Sequence, residues 1–266
     1  MSGHRWQLWL LGWAASAVLL AVLYLWQRRT RDATVVDAGW GASLVLCAIL
    51  YAALAPGSTV QRLAIALPVG IENLRIASLV RNRLGKGEDS RYRELRRRWR
   101  EKGREQLTFA IFFQAQALLA ALLSIPALLA SFNRNDTLAL VQWIGIALWI
   151  AAAALEAVAD RQLAAFRRDP ANRGRVMDRG LWHYTRHPNY FFQTLTWVAY
   201  ALIAVAAPWG FVAFLAPLLI LYLVLFVTGV PPAEESSLRS RGDAYRRYQE
   251  RTSPFVPWPR KRSSIA

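Results

Sequence analysis

The sequence predicts an all-α integral membrane protein on three observations. It has long apolar runs nearly free of charge, a mean hydropathy of +0.20 with 55% hydrophobic residues, and positive charge confined to alternate connections. A helix needs about twenty apolar residues to cross the hydrocarbon core. Seven runs qualify in order: 6–27, 34–55, 60–80, 107–131, 137–158, 190–206 and 210–229. The first has a weak basic n-region and no clear cleavage site, and its arginine cluster follows rather than precedes it, so it reads as a retained helix. The third carries Glu72 and Arg75 in IENLR. The turns Pro56-Gly57-Ser58, Asn133 to Asp136 and Pro208-Trp209-Gly210 are short, whereas the alternate connections are long.

Charge sets the orientation. Of 33 Lys and Arg, all but Arg5, Arg62, Arg75 and Arg134 fall around Arg28 to Arg31, between Arg81 and Arg104, between Arg161 and Arg186, or in the tail from Arg239. The positive-inside rule then puts the N-terminus outside and the C-terminus in the cytoplasm. The net charge of +16 is explained by topology and by anionic lipid headgroups, so no nucleic-acid partner is expected. The expectation is one transmembrane domain over 1–266, with loops 81–106 and 159–189 and tail 230–266 forming a cytoplasmic face, in a membrane read as the bacterial inner (plasma) membrane. The lone Cys47 lies within a span and excludes a disulfide framework. His183 and His187 lack a third ligand and are followed by Pro188, so no metal site is expected.

Ionisable residues within a bilayer cost a few kcal/mol and normally pair or face a cavity. Asp37 opens the second span in VVDAGWG, and Glu72 and Arg75 stand three apart on one helix face, where an ion pair and a catalytic role are both open. Gln114 and Gln116 suit either a substrate or a neighbouring helix. The densest chemistry is GLWHYTRHPNYFFQ at Gly180 to Gln193, followed about forty residues later by Glu234-Glu235, Tyr245, Tyr248 and TSPFVPW. Arg179, Arg186 and Arg241 suit phosphate oxygens. Asn189 supplies a donor and an acceptor, and Tyr184, Tyr190, Tyr245 and Tyr248 supply rings and hydroxyls. Singly, these residues also serve span ends and aromatic belts. Jointly they are the materials of a dinucleotide site, without a Rossmann or P-loop motif.

This paired cassette resembles the C-terminal region of the steroid 5-alpha-reductase superfamily, and most closely its DUF1295 branch. VDAGWG at Val36 to Gly41, RNRLGKGEDSRY at Arg81 to Tyr92 and FFQAQ at Phe112 to Gln116 extend the resemblance from about residue 35 onward. It implies a seven-helix fold in which NADPH enters from the cytoplasm and a hydride passes to an activated double bond, such as a steroid-like or isoprenoid enone. On that resemblance Arg179, Tyr184, Arg186, His187, Asn189, Tyr190, Glu235, Tyr245 and Tyr248 hold the cofactor. Where the family usually has Glu after RHPNYF, this chain has Gln193. Reduction also needs an acid or strong donor, for which Asp37, Glu72 and Tyr92 are the candidates. The expected partners are an apolar, lipid-like substrate and membrane lipids. Isoprenylcysteine carboxyl methyltransferases carry a similar cassette, so an S-adenosylmethionine-dependent methyltransferase is one alternative. A non-catalytic lipid-binding protein is another.

Overall fold

The computed structural model describes residues 2–81 and 87–260. Residues 82–86 of the loop segment and 261–266 of the tail lie outside the described residues. The fold is all-helical, 78% helix, and among the described residues the only bridge is the isolated pair Thr185 and Ser253. Five helical segments are long and apolar enough to cross a membrane: His4–Thr30, Val35–Leu54, Glu105–Ala130, Leu140–Arg168 and Gly210–Arg241. The other two expected spans are helical as well. Thr59–Arg81 carries Arg62, Glu72 and Arg75, which lower its hydropathy, and Pro188–Ala204 has 17 residues. The chain divides into two compact units, residues 1–143 with 200–216, and residues 144–199 with 217–266.

In the first unit, α1 (Ser2–Thr30) and α2 (Val35–Leu54) pack together and both pack on α5 (Glu105–Leu123), with α3 (Thr59–Arg81) against α2. Close packing and interhelical hydrogen bonds hold such helices together, since lipid tails are as apolar as the side chains. Leu20, Val36, Phe109 and Phe113 fill the core together with Tyr92 from α4 (Ser90–Glu101). Asp89 caps α4 by accepting from the Arg91 amide at 2.9 Å. The run read as a single span over 107–131 is interrupted at Ser124, where Pro126 stands in the first turn of a new short helix, α6 (Ile125–Ala130). Ser124 Oγ there meets the Tyr51 hydroxyl at 3.0 Å. Gly57 is required in its turn, since a Cβ would stand 2.3 Å from the Ser131 carbonyl oxygen.

The second unit takes most of α7 (Leu140–Arg168) and the start of α8 (Pro188–Ala204). It also holds nearly all of α9 (Leu215–Tyr222), a π-helical turn at Leu223–Val227, α10 (Val230–Arg241) and α11 (Asp243–Arg251). Pro188 opens α8 as a first-turn proline, and Gly242, at φ 52°, allows the break between α10 and α11.

Candidate functional site

Each unit contains a polar cluster built from residues distant in sequence. In the first, α2 begins with Asp37 in its opening turn, and α4 brings Tyr92 against it. The Tyr92 hydroxyl donates to Asp37 Oδ1 at 2.5 Å, while Arg91 Nη2 donates to Asp37 Oδ2 at 2.9 Å. Arg91 Nε also donates to Asp89 Oδ1 at 3.1 Å, and the Asp89 amide donates to Thr34 Oγ1 at 2.9 Å. One aspartate therefore receives a phenol on one oxygen and a guanidinium on the other. Burial, reinforced by the Asp37 charge, pushes the Tyr92 phenol well above its ordinary pKa, so it remains a neutral donor. Burial disfavours the Arg91 cation, but Asp89 and Asp37 outweigh it and raise its pKa. The side chain of Asp37 is 28% exposed, so the pair is not sealed.

A second network supports this one. Buried Arg96 donates to both Glu88 oxygens at 3.0 and 2.7 Å, to Glu105 at 2.5 Å and to Gln27 at 3.1 Å. Its guanidinium lies over the Phe109 ring, 4.6 Å from the centroid. Glu88 accepts from the Ala33 amide at 2.9 Å, so this network also fixes the turn before α2. Glu72, the third acid candidate, is an ion-pair partner: Arg75 donates Nη2 and Nε to its Oε1 at 2.6 and 3.2 Å. Gln114 donates to the Ala17 carbonyl at 3.2 Å and so bonds a neighbouring helix.

In the second unit the centre is Glu234. Arg186 Nε donates to Glu234 Oε1 at 2.6 Å, His187 Nε2 lies 3.3 Å from the same oxygen, and Gln249 donates to Oε2 at 2.8 Å. Arg186 Nη1 donates to the carbonyls of Gln249 and Thr252 at 2.8 and 2.9 Å. The His187 ring stacks on Tyr190 with centroids 5.4 Å apart. Tyr248 donates to the Trp182 carbonyl at 2.5 Å, and burial raises its pKa. Burial, with the Glu234 charge, raises Tyr245 to about 12. The tail is strapped across this cluster: the Arg186 amide donates to the Ser253 carbonyl, Thr185 Oγ1 to Phe255, and the Trp258 amide to Tyr184.

The nine residues expected to hold a cofactor therefore fall into distinct groups. Arg186, His187, Tyr245 and Tyr248 point inward and knit the unit together. Asn189 donates to Asp160 at 3.3 Å and accepts from the Tyr190 amide, and Tyr190 is the ring on which His187 stacks. Arg179 and Tyr184 are exposed, and Arg241 donates to the Arg175 carbonyl at 2.9 Å. Glu235 faces solvent, pairing with Arg239 at 3.2 Å, and its neighbour Glu234 occupies the interior place. Gln193 lies half-buried on α8. His183 ends a 3-10 turn and His187 precedes α8, so the two do not share a helical face.

Glu234 and Glu235 are adjacent and chemically alike, and Arg96 carries no signal of its own in the sequence. Arg96 stood among six arginines of α4, and only its burial sets it apart.

The fold and these clusters define an all-helical protein with several helices suited to crossing a membrane, and with polar networks at the helix ends. Within that class, the chain belongs to the DUF1295 family of proteins of unknown function, whose model matches residues 23–252. No curated protein and no solved structure shows a significant match.

Proposed function

We propose that this protein is a membrane-embedded NADPH-dependent reductase that saturates an activated C=C bond of an apolar steroid-like or isoprenoid substrate. The observation that carries the reading is the Tyr92 to Asp37 hydrogen bond at 2.5 Å, with Arg91 on the other carboxylate oxygen. It joins two of the three acid candidates in one unit of chemistry. Enone reduction needs a donor at the carbonyl oxygen as negative charge builds there, and a proton to complete the product. Tyr92, kept neutral by burial and by Asp37, is such a donor. On substrate binding its hydroxyl would turn from Asp37 to the carbonyl oxygen. Arg91 would hold the Asp37 carboxylate in place, and the proton leaving Tyr92 would be replaced from solvent through partly exposed Asp37.

Bound NADPH would supply the hydride to the β carbon. The chain offers the right donor chemistry for such a group in exposed Arg179 and Tyr184 and in half-buried Arg241. Arg179 and Arg241 would meet phosphate, and the Tyr184 ring would stack on a base. Arg186, His187 and Glu234 would shape the wall behind them, since their bonds are spent within the protein. The topology that goes with this reading has seven spans, an external N-terminus and a cytoplasmic cofactor face, in a bacterial inner membrane. A second reading, a lipid-binding protein with a degenerate pocket, draws on the saturation of Arg186 and on Gln193 in place of the family Glu.

Native mass spectrometry of detergent-purified protein, combined with NADPH oxidation against a panel of enones, tests the proposal. A retained nicotinamide dinucleotide and enone-dependent oxidation are expected. A retained S-adenosyl ligand, or no nucleotide and no oxidation with any enone, would defeat it.

A further inference from the structure

A cleft of 330 Å³ lies on α4, lined by Glu88, Arg93, Arg96, Arg97, Arg100 and Glu101. Four cations against two carboxylates leave it positive, and α4 as a whole carries six arginines against two glutamates. The arginines are not equally committed. Arg96 is buried and held by Glu88 and Glu105. Arg97 is shared by Glu94 and Glu101, and Arg100 reaches Glu105, yet both remain about two-thirds exposed, at 64% and 65%. Arg93 is exposed and has no acidic partner among the described residues. Exposed ion pairs of this kind contribute little to stability, so anion binding can displace them at small cost.

Placement narrows the ligand. Arg96 bonds Gln27 near the end of α1, Glu88 bonds the Ala33 amide just before α2, and Trp99 packs on Phe109 in the second turn of α5. Because α1, α2 and α5 are each apolar and long enough to cross a membrane, α4 lies where those helices would leave the hydrocarbon. Immediately past Glu105, α5 exposes Leu107, Ile111, Leu118 and Leu122, whose spacing of four and seven residues forms one outward stripe. A free phosphate would use the arginines alone, whereas an anionic lipid would use both features. We propose that the arginine-lined cleft on α4 binds the phosphate of an anionic lipid headgroup, with the acyl chain laid along the α5 stripe. Bidentate guanidinium geometry suits phosphate oxygens, and a basic helix at the bilayer surface attracts anionic lipid.

The test uses the full chain in detergent, titrated with phosphatidylglycerol or phosphatidylcholine and read as lipid adducts by native mass spectrometry. Wild type should retain phosphatidylglycerol in preference to phosphatidylcholine. Arg93→Gln, which breaks no ion pair among the described residues and so should fold, should weaken this about fivefold, and Arg93→Gln/Arg97→Gln/Arg100→Gln by more than about tenfold. Arg98→Gln, on α4 but outside the cleft, should retain the lipid. Equal phosphatidylglycerol retention by wild type and by both cleft variants would overturn the proposal. Complete displacement of phosphatidylglycerol by millimolar inorganic phosphate would also overturn it, by assigning the cleft to soluble phosphate.

Discussion

Asp37 in the first unit has two hydrogen-bond partners and Glu234 in the second has three, of different kinds. Asp37 receives a phenol and a guanidinium and stays partly open to solvent, so one of its donors carries a proton suited to chemistry. Glu234 receives Arg186, His187 and Gln249, and the same Arg186 also takes two backbone carbonyls of the tail. That second arrangement closes on itself. A motif rich in Arg, His and Tyr serves as structure where its donors are satisfied by the chain, and under the proposed reduction the chemistry would fall to the cluster with an exchangeable donor.

The largest expected effect is at Arg186. Arg186→Ala removes three hydrogen bonds and leaves Glu234 half-buried without its cation, so it should destabilise the protein by roughly 3 kcal/mol. Thermal unfolding in detergent would measure this. Loss of NADPH affinity with unchanged stability would instead make Arg186 a phosphate ligand. Next, Glu234→Gln should cost about 1.5–3 kcal/mol by weakening charged hydrogen bonds, while Glu235→Gln should change stability by less than about 0.5 kcal/mol. Equal effects at the two positions would dissolve the distinction between inner and outer carboxylate.

A smaller effect concerns alkaline pH. The Tyr92 phenol is raised in the folded state above its unfolded value of about 10, so above that pH the unfolded chain loses a proton that the folded chain keeps. Stability should therefore fall as pH rises beyond about 10, and because Tyr245 and Tyr248 are raised in the same direction, Tyr92→Phe should make that limb shallower without abolishing it. Denaturant titrations between pH 8 and roughly 11 would show it. Another small effect is expected at Gln193, where Gln193→Ala should alter stability by under about 1 kcal/mol, because the side chain lies half-buried on α8.

Much of this fold is written in local pattern. Apolar runs located most helices to within a few residues, although α7 continues ten residues past the expected span, to Arg168, and the run 210–229 divides into several helical segments; Pro188 marked the start of α8. Register and distant pairing are not local. Glu234 and Glu235 are adjacent, so which one faces Arg186 depends on where α10 begins after Gly229, and residue type says nothing about that. Asp37 and Tyr92 were both acid candidates, yet their meeting across 55 residues depends on α4 packing its Tyr92 face against the core beside Phe113 and Val36. Arg96 shows the same limit, since its neighbours in RRRWR have the same chemistry and only folding buries one of them.

The proposed reduction makes Tyr92, set by Asp37, the donor to the enone. Its most direct test is the single-turnover rate of NADPH oxidation by wild type and Tyr92→Phe, with an accepted enone and cofactor binding measured in parallel. The rate should be lower by about 10²–10³ in Tyr92→Phe with NADPH affinity unchanged, the loss expected for a positioned general acid. Equal single-turnover rates in the two proteins would contradict it.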